Sequence, residues 1–232
     1  MFTKGDFHMH SRYSDGSLSP KELIDSAKSR GVDIISLTDH NNTAGIDEAI
    51  LCGKKAGITV IPAVELSTKF NNSRVHILGY FKDDSYNDEL LKTALQHIKN
   101  HKSIKLKELF GDFFDMDEIK PNLTPKGGLK LLKFFGATVV LAHPVLLSPE
   151  IFDTVIHLGF HGLEAKYYQN TTEATNFFLK LANDREMLYT AGSDFHKFET
   201  GYKTHGLIGD VFLDENEIIN FLTQGDLFYY VN

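Results

Sequence analysis

A single cysteine, Cys52, leaves no internal partner for a disulfide and excludes a cysteine-rich zinc site. No apolar run is long enough to cross a bilayer, and no apolar leader precedes the first motif, so a cytoplasmic location with no membrane contact is expected. No basic stripe is present either. The net charge is -7, and the lysines are scattered apart from a loose cluster between Lys99 and Lys107. A protein that grips long nucleic acid through its phosphates carries such a stripe, so long nucleic acid is not an expected partner. Small phosphorylated molecules, nucleotides and short oligonucleotides stay open, because bound metal can supply positive charge that a residue count omits. No glycine-rich phosphate loop follows the first strand, which weakens a nucleotide-cofactor reading. There is no internal repeat and no low-complexity linker. The oligomeric state is not legible.

What is there is an alternation. At 232 residues the chain suits one domain spanning 1–232, large enough to bury a core without staples. Residues 5–10 read as a first strand. Ser19-Pro20-Lys21-Glu22 reads as a capping box with proline at the first helical position, and Gly31 is placed to end that helix. Val32 to Leu37 is a buried strand. A helix is expected from about Thr43 to Lys55, strands over 58–64 and 75–80, and helical periodicity over 87–110. Residues 111–123 are the least regular stretch. A helix from Thr124 to Gly136 leads into a strand over 138–142. A helix after Ser148-Pro149, a strand over 162–165, a helix over 172–185 and a strand over 187–191 follow. Residues 206–213, a helix near 215–223 and residues 227–231 finish the chain. Such alternation predicts parallel α/β architecture, best satisfied by a compact (β/α) barrel, with an open doubly wound sheet as the alternative.

The polar residues fall at the strand ends. His8 and His10 lie two apart on the first strand and so face the same way. Asp15 follows in the next loop. Asp39-His40 closes the second strand, Glu65 the third, His143 the strand over 138–142, and Asp194 and His196 follow the strand over 187–191. His76 sits within or beside the strand over 75–80. In a barrel these edges converge on one face. Imidazoles mixed with carboxylates and no thiolate suit Zn, Mn or Fe. Nine such residues exceed what one ion needs, and predict a site of two or three divalent ions.

Other polar residues have plainer readings. His97 and His101 have helical i, i+4 spacing without the glutamate of a metalloprotease, and read as a solvated face. His157 and His161 flank a helix end and read as structural. Ser193 lacks any triad order that would make it a nucleophile. Phe110, Phe113 and Phe114 read as core.

Taken together, Asp6-Phe7-His8-Met9-His10-Ser11, Ser14-Asp15-Gly16, Leu37-Thr38-Asp39-His40, Glu65, Ala142-His143-Pro144 and Gly192-Ser193-Asp194-Phe195-His196 closely resemble the PHP family, the polymerase-and-histidinol-phosphatase phosphoesterases. Within it, the chain is most similar to the free-standing nucleotide and oligonucleotide phosphoesterases. The resemblance implies a distorted seven-stranded (β/α) barrel of α/β class with a trinuclear site. It implies that His8, His10, Glu65 and Asp194 hold one ion, that Glu65, His76 and His143 hold a second with Glu65 bridging, and that Asp15, His40 and His196 hold a third. Asp39, beside His40, is then expected to orient one of the ligands without itself binding an ion. In one respect the chain departs from the resemblance. Related nucleotide phosphatases carry arginines that bind substrate phosphates in an insertion between the His76 and His143 regions, whereas residues 81–137 here contain no arginine. Lys102, Lys105 and Lys126 are candidate substitutes, without the bidentate fork of arginine.

The expected activity is hydrolysis of a phosphate ester on a small substrate, first a nucleotide of the 3′,5′-bisphosphate type, by in-line attack of a metal-bridging hydroxide. Asp15, His40, Glu65, Asp194 and His196 would carry the chemistry. Arg12, Lys166 and His205 are the candidate substrate contacts. The alternatives are a 5′–3′ exonuclease on short RNA, a sugar or amino-alcohol phosphatase, metal-dependent C–N or C–O hydrolysis, and a non-catalytic binding scaffold.

Overall fold

The first helix, α1 (Pro20–Ser29), starts where its capping box places it. The Ser19 side chain accepts from the Glu22 amide and Glu22 reaches back to the Ser19 amide, while Gly31 beyond the last turn takes φ 70°. The computed structural model describes residues 2–198 and 205–231. In chain order the other elements are β1 (Gly5–Asp6), β2 (Ile34–Leu37), α2 (Ile46–Ala56), β3 (Thr59–Phe70), β4 (Ser73–Tyr80), α3 (Glu89–Lys99), α4 (Leu106–Phe110), α5 (Met116–Ile119), α6 (Pro125–Phe134), β5 (Thr138–Leu141), α7 (Pro149–Val155), β6 (Gly162–Tyr167), α8 (Thr172–Asp184), β7 (Leu188–Gly192) and α9 (Glu215–Gly225).

The seven strands lie in sequential order, β1 to β7. The sheet nearly closes through the residues that follow β1. The Phe7 amide donates to Ala191 O at 3.0 Å, the Asp194 amide to His8 O at 2.9 Å and the His10 amide to Phe195 O at 2.8 Å. The expected strand over 5–10 is therefore an extended run whose regular part is only Gly5–Asp6, its remainder serving as the seam.

The expectation of an all-parallel sheet needs correction. β4 runs antiparallel to both β3 and β5, and the remaining pairs are parallel. The cause is a tight hairpin at Asn71-Asn72, whose φ values of 47° and 64° suit a primed turn matched to the twist of its strands. β3 is twelve residues long and runs past the expected end at Val64. Glu65 thus lies within a strand rather than at its end, and the hairpin rises above the barrel rim as a wall.

Four other segments differ from expectation. The helical stretch over 87–110 breaks into α3 and α4, because His101 adopts φ 56° and turns the chain. Residues 206–213 form turns with a single bridge from Leu213 to Gly5, and 228–230 form one short helical turn. Among the described residues neither segment has a strand partner beyond that bridge. The irregular stretch over 111–123 contains α5, started by a capping box of Asp115 and Glu118.

Inside the barrel, Phe7, Ile34, Ile61, Ala63, Leu78, Tyr80, Val140 and Ala191 form one buried group, against which α9 lays Ile218, Phe221 and Leu222. Phe221 stacks edge-on against Phe7 at 4.6 Å and Tyr80 at 5.1 Å between ring centroids. Tyr80 donates from its hydroxyl to Phe7 O at 3.0 Å, so this plug also steadies the strand that carries His8 and His10. Phe221→Ala is expected to lower unfolding free energy by about 3 to 5 kcal/mol through lost transfer energy and a cavity. Urea denaturation would read this as a lower midpoint at constant slope; an unchanged midpoint would show that the plug carries no stability.

Candidate metal centre

Nine side chains from separate parts of the sequence meet at the rim. The seam after β1 brings His8 and His10, the following loop Asp15, the end of β2 His40, and the hairpin Glu65 and His76. The residue after Ala142 brings His143, with φ 28°, and the turn after β7 brings Asp194, with φ 52°, and His196. Gly192 is required at the end of β7, because a Cβ there would collide with His8 and with Glu164.

Glu65, with 1% of its surface exposed, lies at the centre. Its Oε2 is 3.2 Å from His8 Nε2, 3.1 Å from His10 Nε2 and 3.1 Å from His40 Nδ1. Its Oε1 is 2.9 Å from His76 Nδ1 and 3.0 Å from His143 Nε2. Asp194 Oδ1 lies 3.2 Å from His8 Nε2 and 3.1 Å from His10 Nε2. Asp15, half exposed, lies 3.4 Å from His196 Nε2 and 3.7 Å from both His10 Nδ1 and His40 Nε2. Within each of four overlapping sets the donor atoms lie within 4.8 Å of one another: His8, His10, Glu65 and Asp194; His10, Asp15, His40 and His196; His40, Glu65 and His76; and Asp194, His196 and His205. His143 joins through Glu65.

The donor set fits divalent ions. His8 Nε2, both ring nitrogens of His10, His40 Nδ1 and Asp194 Oδ1 are buried without a hydrogen-bond partner. Leaving such atoms unsatisfied costs about 1–3 kcal/mol each. Their spacing has a ready explanation: metal bonds of about 2.0–2.2 Å set neighbouring donors about 3.0 to 3.5 Å apart.

Charges are correspondingly displaced. Burial alone would lower His10, but the adjacent carboxylates of Asp194 and Glu65 raise it to about 9. His8 is raised likewise, against its burial, by Glu164, Asp194 and Glu65. Burial and the neighbouring His10 and His76 push His40 down to about 4. Despite their burial, Glu65 and Asp194 are held well below the usual carboxylate range by the surrounding imidazoles.

Residues that the sequence reading missed support this rim. Glu164, fully buried on β6, contacts His8 Nδ1 at 2.9 Å and accepts from the His143 amide at 2.7 Å. It thereby turns His8 Nε2 toward the cluster and fixes the backbone of His143. Tyr167 donates to Asp194 Oδ2 at 3.0 Å. Buried Asp6 accepts from the amides of Ser193 and Gly209, at 3.1 and 2.8 Å, and so anchors the turn that carries Asp194. A lone glutamate within the apolar run Gly162-Leu163-Glu164-Ala165 was the available signal. Asp39 accepts from the Ser11 amide at 2.8 Å and from the hydroxyls of Ser11 and Ser14 at 2.6 Å each, bracing the loop that carries Asp15.

The candidate substrate contacts divide. His205 belongs to the rim: its Nδ1 is 3.2 Å from Asp194 Oδ2, and its ring stacks on His196 at 4.0 Å. Lys166 does not. It donates to Glu217 at 2.6 Å on α9, because an irregularity in β6 between Glu164 and Lys166 breaks the alternation that would otherwise put both side chains on one face. Arg12 is exposed, with its charge felt by Tyr13 and Glu22, and the residues lining the central cavity do not include it. Lys126 pairs with Glu118 at 2.9 Å and Lys105 with Glu108 at 3.6 Å, while Lys102 is exposed. His97 and His101 do not share a helix face, since His101 lies past the end of α3. His161 accepts from the Val139 amide and His157 contacts Arg185, both structural roles. Ser193 is fully buried. Arg74, not singled out in the sequence, lines the central cavity of about 680 Å³ beside His76.

Two measurements probe the centre. Metal binding needs neutral imidazoles, whereas His10, raised to about 9, holds a proton at pH 7 in the metal-free protein, and His8 is shifted in the same direction. Binding of Zn or Mn should therefore release protons, and apparent affinity should rise with pH and level off only above about 9, the value at which His10 by itself is half protonated. His40, already neutral at pH 7, contributes none. Calorimetry in buffers of different ionisation heat checks this, and a buffer-independent heat would contradict it. Glu164→Gln is expected to weaken metal affinity about 10- to 100-fold with little change in fold; an unaltered metal titration would remove the assigned role.

Comparison with known proteins places this geometry. The PHP domain family profile matches residues 6–188. Over 86 residues the chain is 44% identical to a 5′–3′ exoribonuclease of Haemophilus influenzae, covering 37% of this chain and 31% of that protein. Over 74 residues it is 43% identical to a 3′,5′-nucleoside bisphosphate phosphatase of Chromobacterium violaceum, covering 32% of this chain and 26% of that protein. These matched segments thus span about a third or less of either curated relative. A solved structure from Bifidobacterium adolescentis, named as a candidate metal-dependent phosphoesterase, superposes with a TM-score of 0.73 at 22% identity, covering 95% of this chain and 96% of the other, and so shares the fold. With the family profile matching most of its length and the solved structure sharing its barrel, the chain belongs to the PHP domain family.

Proposed function

We propose that this chain is a metal-dependent phosphoesterase acting on a small phosphorylated substrate, first a nucleotide of the 3′,5′-bisphosphate type. The observation that carries the reading is the convergence of five imidazoles on the buried Glu65 carboxylate, beside a cavity of about 680 Å³. Two or three ions of the Zn, Mn or Fe kind suit this donor set. His8, His10, Glu65 and Asp194 would hold one, Glu65, His76 and His143 a second, and Asp15, His40 and His196 a third. When bound, such ions supply positive charge to phosphate oxygens and acidify water toward a pKa of about 7.

The chain's own residues prepare that chemistry. Glu65 holds the imidazoles inward. Glu164 and Tyr167 fix His8 and Asp194, so the rim reorganises little during reaction. His205, stacked on His196 at the cavity edge, stands where it can give a proton to a leaving oxygen. Leu146, Leu147 and Ile151 line an apolar part of the cavity. Among the described residues no helix is long and apolar enough to cross a membrane, in keeping with a cytoplasmic enzyme.

A second reading, 5′–3′ exonuclease action on short RNA, is favoured by the 44% identity to the Haemophilus influenzae exoribonuclease. A panel of adenosine 3′,5′-bisphosphate, a sugar phosphate, an amino-alcohol phosphate and a 5′-phosphorylated trinucleotide separates these arms. A non-catalytic scaffold is disfavoured because none of the nine rim residues is missing. With Mn or Zn added, the protein should release phosphate or nucleotide from at least one member of the panel. His8→Ala and Asp194→Ala should each reduce kcat/KM on the order of 100-fold or more. Unchanged turnover in both variants would refute the assignment.

A further inference from the structure

Beside the metal rim, a second cavity of about 280 Å³ runs between the β3–β4 hairpin and the turn that follows α3. Asp15, His40, Arg74 and His76 line both cavities, so one opens on the other. Its walls carry Lys69, Arg74, Lys99 and His101, together with Asn122, and Asp15 is the only acidic residue among its lining. Lys69 and Arg74 stand directly opposite each other in the antiparallel ladder. Like charges in that register repel, with Cβ atoms about 4.5–5.5 Å apart. Among the described residues, none of Lys69, Arg74, Lys99 and His101 has a carboxylate partner, whereas surface lysines such as Lys21, Lys92, Lys107 and Lys180 each pair with one. In a protein of net charge -7, an unpaired cationic wall in one cleft is arranged for an anion from outside.

We propose that this cleft is an anion subsite that holds a second phosphate group of the substrate, remote from the ester being cleaved, with Lys69 and Arg74 as its principal contacts. Arginine supplies a planar fork for phosphate and lysine a compact charge. The hairpin thus takes over phosphate recognition in a chain whose 81–137 stretch lacks arginine. Lys99 and His101 face it from the other wall, because the left-handed turn at His101 redirects the chain after α3. The second phosphate is either a terminal monoester, as in a nucleotide bisphosphate, or an internal diester, as in a short RNA. The proposal rests on the phosphoesterase reading for its substrate, while the subsite itself can be tested without turnover.

The test compares wild type with a Lys69→Ala/Arg74→Ala double variant. Both residues are exposed, so the fold should survive, and Lys180→Ala serves as a charge control on α8. In the metal-loaded protein, kcat/KM is measured for adenosine 3′-monophosphate, adenosine 3′,5′-bisphosphate and a 5′-phosphorylated trinucleotide. The ratio of a doubly phosphorylated substrate to the monophosphate should fall about tenfold or more in the double variant, chiefly through KM, and hold in the control. A fall for the bisphosphate supports a terminal phosphate in the cleft, and a fall confined to the trinucleotide supports a diester there. Hydrolysis by wild type with every ratio unchanged in the double variant overturns the subsite and leaves the phosphoesterase reading standing. In parallel, binding of inorganic pyrophosphate is measured with EDTA present. Weaker binding by the double variant supports the subsite even if no ester is hydrolysed, a result that would overturn only the phosphoesterase reading. Equal binding by both proteins overturns the subsite.

Discussion

A carboxylate buried at the mouth of a barrel and ringed by imidazoles is the constraint on which this protein turns. Removing Glu65 from water costs several kcal/mol unless its charge is met. Five histidines lie within 3.2 Å of its two oxygens. Several of their ring nitrogens have no hydrogen-bond partner. Such an arrangement is poorly satisfied by protein alone and well satisfied by cations shared among the donors. The same feature that burdens the metal-free fold is what a phosphate-directed centre requires.

The surrounding structure serves to hold that ring in place. Glu164 reaches both His8 and the backbone of His143, Asp39 pins the loop of Asp15, and Asp6 pins the turn of Asp194. These buried acids are directed at backbone amides, hydroxyls and a ring nitrogen, so each also satisfies groups that burial would otherwise leave costly. The α9 plug closes the interior beneath, and its contact with Phe7 lies on the strand that carries His8 and His10. Stability and site geometry therefore share residues.

The hairpin is the chief departure from a regular (β/α) barrel. With β4 antiparallel, no crossover helix covers the connection from β3, and the two strands can rise beyond the rim. Glu65 and His76 sit low on that wall. Lys69 and Arg74 sit higher, on the same pair of strands. One element thus presents both the carboxylate at the centre of the candidate metal-binding rim and, at Lys69 and Arg74, two cationic side chains beside it, in a protein whose overall charge is negative.

Much of this was legible in the residues themselves. Capping boxes, apolar runs and glycine stops located most elements, because they are local in cause. Most of the nine rim residues were legible because in a strand-helix alternation the strand ends converge; Glu65 and His76 instead lie within the β3–β4 hairpin and reach the rim through its pairing. The antiparallel β4 was less so: Asn71-Asn72 is a turn signal, but strand direction is decided by pairing, which is not local. The partners of Glu164, Asp39 and Lys166 were beyond reach for the same reason, each being set by a residue 21 or more positions away. By itself the sequence determined which chemical groups are available and which short segments are helix or strand, through propensity and periodicity. Only the tertiary structure decided which of those groups share a site, because contact between distant residues follows from packing and register.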